Sequence, residues 1–363
     1  MQLKGIAEGV LSDRQIGKMI DDGHITSAQA IEGGQIQPAS LDLRLGEKAY
    51  RLRASFLPGK AAKVSERLDE FTMHEMDLRS GAVLEKGCVY VVPLLESLDL
   101  PSEISGAASA KSSIGRLDLL TRVITDNGVE FDRVPSGYTG PLFLEICPRS
   151  FSVLVRFGHM LNQIIFRLGQ TILTDKALFD LHVRTPVVTG EAIISEGLGF
   201  SVDIAPRQGN LVGYRAKPHT GVIDLEKLNF YEPSDFWEEI RTDDERIILD
   251  PGAFYILVSR EAITIPPNCA AEMAPYLAMV GEFRVHYAGF FDPGFGYSTS
   301  GAGSRGVLEV RCHEAPFVLE HGQIVGRLVY EKMSEIPKQL YGIDIKSNYQ
   351  GQRLKLSKHF KSS

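Results

Sequence analysis

Apolar residues in this chain come mostly in short runs broken by glycine, proline and asparagine. "GCVYVVPL" from Gly87, "GPLFLEICP" from Gly140, "FYILVS" from Phe254 and "GRLVYE" from Gly326 are four of them. Runs of this length bounded by turn residues predict short buried strands. One early stretch keeps a different period. In "LSDRQIGKMIDDGHI", Ile16, Met19 and Ile20 recur at helical spacing. Ser12 is placed to cap that helix, Gln15 to close a capping box, and Gly23 to end it. A second helix is predicted in "PSDFWEEIRTDD". Many short strands with few short helices predict a mainly β chain of sandwich or jelly-roll type.

The strand pattern also repeats. "VLEKGCVYVVPLLESLDLP" from Val83 matches "ILDPGAFYILVSREAITIP" from Ile248 through Leu84/Leu249, Gly87/Gly252, Tyr90/Tyr255, Glu96/Glu261 and Pro101/Pro266. "LFLEICPRSFSVLVRFGHML" matches "GVLEVRCHEAPFVLEHGQIV" through Glu145/Glu309 and Gly158/Gly322, and "SLDL" at Ser40 matches "SVDI" at Ser201. So long an offset means a duplicated domain rather than a solenoid repeat. The break falls near "LTDKALFDLHVRTPVVTGE". The expected organisation is a first domain over 1–175, a second over 190–337, and a tail over 338–363.

With 363 residues, each copy is long enough to bury its own core. A net charge of −7 argues against nucleic acid as a bulk partner while permitting a local cationic pocket. The N-terminus lacks the apolar core of a signal peptide, no apolar run is long enough to span a membrane, and the four cysteines are scattered. The expectation is a cytoplasmic protein with reduced thiols and no membrane partner.

Two places in the repeat differ in a way that bears on chemistry. The first copy carries "SAKSSIGRLDLL", with Lys111, Ser112, Ser113 and Arg116 within six residues. A triphosphate needs such a set of cation, hydroxyls and turn amides, although the same residues also suit a polar surface turn. The second copy has "EMAPYLAMVGEF" there, with Ala274, Pro275, Tyr276 and Met279. Conversely, the second copy has a compact "VHYAGFFDPGFG", where the first has the longer "VITDNGVEFDRVPSGYTG" with Pro135 in place of an aspartate.

"IQPASLDLRLG", "AKSSIGR", "FDPGFG", "LEV" and "YGIDIKSNYQGQ", in this order, resemble the dCTP deaminase family, as does the opening helix. The resemblance implies two tandem dUTPase-like domains of the β-clip, distorted jelly-roll kind. It also implies hydrolytic deamination of dCTP to dUTP and ammonia without zinc, Mg²⁺ arriving with the triphosphate. The zinc deaminase signature, H-x-E followed by P-C-x-x-C, is indeed missing from the sequence.

By resemblance, Lys111 and Ser113 bind phosphate, and Ser112 and Arg116 help hold water and glutamate. Lys111 stands where the family has arginine and loses bidentate geometry. The hairpin with His286, Ala288 and Asp292 reads base and sugar, a carbonyl near Ala288 accepting from the cytosine amino group. Glu309, ahead of its repeat partner Glu145, is the implied general acid and base. Tyr341, Lys346, Tyr349 and Gln352 fall on the family's nucleotide-covering C-terminal lid, Lys346 substituting for the lysine that Asn348 replaces. On residues alone the tail is a basic, solvated terminus.

The two copies thus read as complementary sides of one composite site, formed where a first domain faces a second in a homo-oligomer. Three chains would give six domains. The alternatives are a bifunctional enzyme that also cleaves the triphosphate, a dUTP pyrophosphatase, and an inactive nucleotide-binding regulator. "GAGSRG", Gly301 to Gly306, matches G-x-G-x-x-G, but the strand-like "VLEV" after it argues against a dinucleotide site.

Overall fold

The computed structural model describes residues 6–206, 210–275, 283–286, 289–297, 302–345 and 349–362; at Pro275, Phe283, Arg284 and His286 it describes backbone alone. Contacts divide the chain into two mainly β units. Unit 1 comprises Met1–Thr171, Gly221–Glu226 and Met333–Lys338; unit 2 comprises Ile172–Thr220, Lys227–Lys332 and Gln339–Ser363. The contiguous ranges expected from the sequence differ from this division in two ways. Two short stretches of the later chain belong to unit 1, and the tail belongs to unit 2. Ile223 joins unit 1 by strand pairing with Val153, and Arg156 grips Asp224 with both terminal nitrogens.

In unit 1 the first helix, α1 (Asp13–Asp21), has the expected capping box between Ser12 and Gln15, with Ile16 and Met19 fully buried. The strands are β1 (Leu41–Arg44), β2 (Lys48–Leu52), β3 (Thr72–Asp77), β4 (Val89–Asp99), β5 (Ile104–Ala110), β6 (Leu119–Thr125), β7 (Thr139–Pro148) and β8 (Met160–Leu168). One sheet runs β3-β2-β4-β7-β6, and in the other β8 pairs with both β1 and β5. A helix between β2 and β3, α2 (Val64–Phe71), packs Val64 and Leu68 with Phe56, Val91 and Phe143.

Unit 2 opens with a helix that the sequence reading passed over as a break, α3 (Asp175–Arg184), capped by Thr174 and burying Leu178 and Leu181. Its strands are β9 (Leu198–Ser201), β10 (Leu211–Ala216), β11 (Trp237–Arg241), β12 (Phe254–Ile263), β13 (Cys269–Pro275), β14 (Phe283–His286), β15 (Ser304–Cys312) and β16 (Ile324–Lys332). The sheet order β11-β10-β12-β15-β14 reproduces that of unit 1. The helix predicted in "PSDFWEEIRTDD" is one turn, Pro233–Phe236, after which the chain becomes β11. Pairing with β10 overrides local helix propensity there.

The duplication extends to individual hydrogen bonds. The Tyr90 hydroxyl accepts from the Glu85 amide at 3.0 Å, and the Tyr255 hydroxyl from the Asp250 amide at 2.7 Å. Ser304 to Cys312 is strand, so the G-x-G-x-x-G match has no helix after it.

Candidate functional site

In each unit one row of residues in register crosses the sheet. In unit 1 the cross-strand partners are Glu75, Tyr50, Val91, Glu145 and Arg122. In unit 2 they are Glu239, Tyr214, Ile256, Glu309 and His286. Directly paired residues share a face, so the two rows are the same station in two copies. Sequence reading found the glutamates but missed the tyrosines. "AYRL" and "GYRA" carried that signal, too short to register without the strand pairing.

The neighbours of the two glutamates differ. Glu145 is 1% exposed and accepts from the Ser55 hydroxyl at 2.5 Å and from Arg122 Nε at 3.0 Å, with Arg122 Nη2 also in contact. The Arg122 guanidinium lies 3.6 Å from the centre of the Phe131 ring. Phe131 comes from the longer hairpin noted in the sequence. Three donors and an aromatic lid commit this carboxylate to the protein itself. Glu309 is 5% exposed on β15, and its cross-strand partner is His286 rather than an arginine.

Lys111 to Arg116 form one turn between β5 and β6, with Lys111 at the N-cap and the Lys111 carbonyl accepting from the Ile114 and Gly115 amides. Ser113 and Arg116 are buried, Arg116 at 3% exposure, while Lys111 and Ser112 are half-buried. The Lys111 ammonium contacts the buried Asp42 carboxylate of "SLDL". In unit 2 the residues that would correspond to this turn lie mostly outside the described ones. The matching Asp203 of "SVDI" is instead paired with Arg305. Of the replacing residues, Ala274 and Pro275 end β13, while Tyr276 and Met279 lie outside the described residues.

Asp292 opens a turn. The Phe295 amide bonds to the Asp292 carbonyl at 3.1 Å, and Gly294 and Gly296 take positive φ. A side chain at Gly294 would meet the Tyr341 backbone at 2.9 Å, so glycine is required by the close approach of the tail. Tyr341 packs its ring 5.7 Å from that of Phe295. Tyr349 and Gln352 are buried, and Gln352 Nε2 donates to the Arg305 carbonyl on β15 at 3.1 Å. Gln350, missed in the sequence, receives the Gly296 amide at 3.1 Å. The described part of the tail is thus fixed onto unit 2 through buried anchors, with some of its charged residues still exposed. Ala288 and Lys346 lie outside the described residues, as does the His286 side chain.

Burial raises the thiol pKa of Cys147 and pushes that of Cys269 up to about 12, so both stay neutral and unreactive near pH 7.

Comparison with known proteins gives a consistent result. Residues 7–170 match the N-terminal domain, and 174–360 the C-terminal domain, described as those of 2'-deoxycytidine 5'-triphosphate deaminase. A crystal structure of 2'-deoxycytidine 5'-triphosphate deaminase from Agrobacterium tumefaciens is 53% identical, covers 90% of this chain and 99% of its own, and superposes with a TM-score of 0.87. A dCTP deaminase from Actinobacillus succinogenes is 30% identical over 142 residues, 37% of this chain and 70% of its own length. A "dCTP deaminase, dUMP-forming" from Methanoculleus marisnigri is 32% identical over 165 residues, 43% of this chain and 79% of its own length. With both halves matched in order over nearly its whole length, this chain belongs to the 2'-deoxycytidine 5'-triphosphate deaminase family.

Proposed function

We infer that the protein is a dCTP deaminase in which Glu309 is the general acid and base and Glu145 is not. The carrying observation is the pair of equivalent rows: Glu145 is held by Arg122 and Ser55, and the residue in register with Glu309 at the arginine's place is His286. A carboxylate already accepting two bonds from a guanidinium and one from a hydroxyl has most of its four lone-pair sites taken, and the adjacent positive charge favours its ionised form, both of which oppose taking a proton from water.

The chemistry is dCTP plus water giving dUTP plus ammonia. Glu309 takes a proton from the attacking water as oxygen bonds to C4, and passes it to N3. It then takes the remaining proton from the new C4 hydroxyl and delivers it to the amino group, so that the C4–O4 carbonyl forms as the C4–N4 bond breaks and ammonia leaves. Lys111, Ser112, Ser113 and Arg116 grip the triphosphate with its accompanying Mg²⁺, Ser112 and Arg116 also helping to hold the water and Glu309, and the Asp292 turn faces base and sugar. Zinc has no part in this scheme.

The two copies divide this work. In the proposed oligomer the phosphate grip comes from unit 1 of one chain and Glu309 from unit 2 of another. Ammonia release from dCTP tests the reading, with Ser112→Ala expected to abolish it and Tyr276→Phe to leave it intact; tight dCTP binding without ammonia would refute it. The relative named as dUMP-forming favours one further measurement, pyrophosphate release, which separates deamination alone from deamination with triphosphate cleavage.

A further inference from the structure

Beyond the glutamate row, the tail of unit 2 builds a cavity. Residues 353–362 run beside Tyr214 of β10 and line with it a pocket of about 490 Å³ that opens to solvent, a size common to small-molecule sites. Four of the lining side chains are cationic, Arg353, Lys355, Lys358 and Lys361, and no carboxylate lines the cavity among the described residues. In a chain of net charge −7 this is a local reversal of sign. Glu232, outside the cavity, pairs with Lys361 and offsets one of the four charges.

The end of the strap that carries two of the cations is also anchored. Phe360 is buried, its ring 5.5 Å from Phe236 and 5.9 Å from Trp237. The Asn229 amide bonds to the Lys358 carbonyl and the Lys361 amide to the Tyr231 carbonyl, both at 2.9 Å. A strap anchored at both backbone and side chain loses little freedom when an anion binds, so its charge is preorganised. Tyr214 and Phe360 add aromatic surface to the same cavity.

We propose that this cavity binds a phosphate-bearing small molecule through Arg353, Lys355 and Lys358, at a site separate from the Lys111–Arg116 grip. The site stands or falls independently of the deaminase reading, since it lies in other residues and is read by binding alone.

The test is equilibrium binding of inorganic tripolyphosphate to the full chain carrying Ser112→Ala and Arg116→Ala, which disables the other grip. Binding is expected to persist there and to weaken with added salt. Adding Lys355→Glu and Lys358→Glu is expected to lower affinity by more than about tenfold, from the loss of two charge-assisted contacts. The neutral pair Lys355→Gln and Lys358→Gln, checked for an unchanged near-UV spectrum, should fall between. A parallel titration with ATP distinguishes a nucleotide from a free polyphosphate, tighter ATP binding assigning the aromatic walls to the base. Undiminished binding in the charge-reversed strap, or loss of all binding with Arg116→Ala alone, overturns the proposal.

Discussion

Replacing Glu309 by glutamine preserves size and burial while removing the exchangeable proton. Loss of general acid–base catalysis predicts a fall in kcat of about 10²- to 10⁴-fold, read from ammonia release. Glu145→Gln is the matched control. It should leave kcat intact yet cost about 1–3 kcal/mol in urea unfolding, because the amide no longer answers Arg122 in a buried setting.

A second residue-scale prediction concerns His159. Burial outweighs the nearby Glu226 and holds its pKa below the usual 6.5. Its Nδ1 accepts the Arg156 amide at 3.3 Å, which requires the neutral ring. The unfolded chain therefore binds the proton more tightly than the folded one. Stability falls as pH drops below 6.5 and levels off beneath the depressed folded value. Urea midpoints across that window should show the decline, and His159→Gln should flatten it.

At the scale of elements, two anchors have measurable weight. Ser12→Ala removes both the cap of α1 and a 2.5 Å bond from the Ser12 hydroxyl to Glu335, so a loss of about 1 kcal/mol in thermal or urea unfolding is expected. Phe360→Ala empties an aromatic pocket and should cost about 3–5 kcal/mol of local stability. Amide exchange over residues 349–362 should accelerate while the core of unit 1 stays protected.

Elements with a clean local signal were legible in the sequence. The capping box and its apolar face gave α1, and the uninterrupted runs gave β4, β7, β12 and β16. Elements decided by partners were not. Trp237–Arg241 has a helix-compatible composition but a strand's neighbours, and α3 hides in what read as a boundary because only Leu178 and Leu181 mark its buried face. The charge run of the tail by itself suggests a solvated terminus, since its charges are obvious and its anchors, Leu356 and Phe360, are few; only the resemblance of "NYQGQ" points to a lid.

For the whole molecule, the division of labour makes a direct prediction. Chains carrying Ser112→Ala and chains carrying Glu309→Gln should each be inactive. Mixed by refolding together, they should recover part of the wild-type rate, because some sites would combine an intact unit 1 with an intact unit 2. Continued inactivity of mixtures shown to be co-assembled would end the composite-site reading. The motif order in the sequence already separated the grip from the hairpin. What it could not supply was the reason for choosing between the glutamates, because Arg122 and Glu145 are 23 positions apart and meet only through strand pairing.

That meeting also acts as an evolutionary ratchet. Once a guanidinium sits against the buried Glu145, deleting either partner strands the other, and the carboxylate in particular would be left without its counter-charge at 1% exposure. Reversion by single steps is therefore opposed by folding itself. Lineages descending from this arrangement should drift in the rest of unit 1's hairpin while inheriting the arginine and the glutamate together.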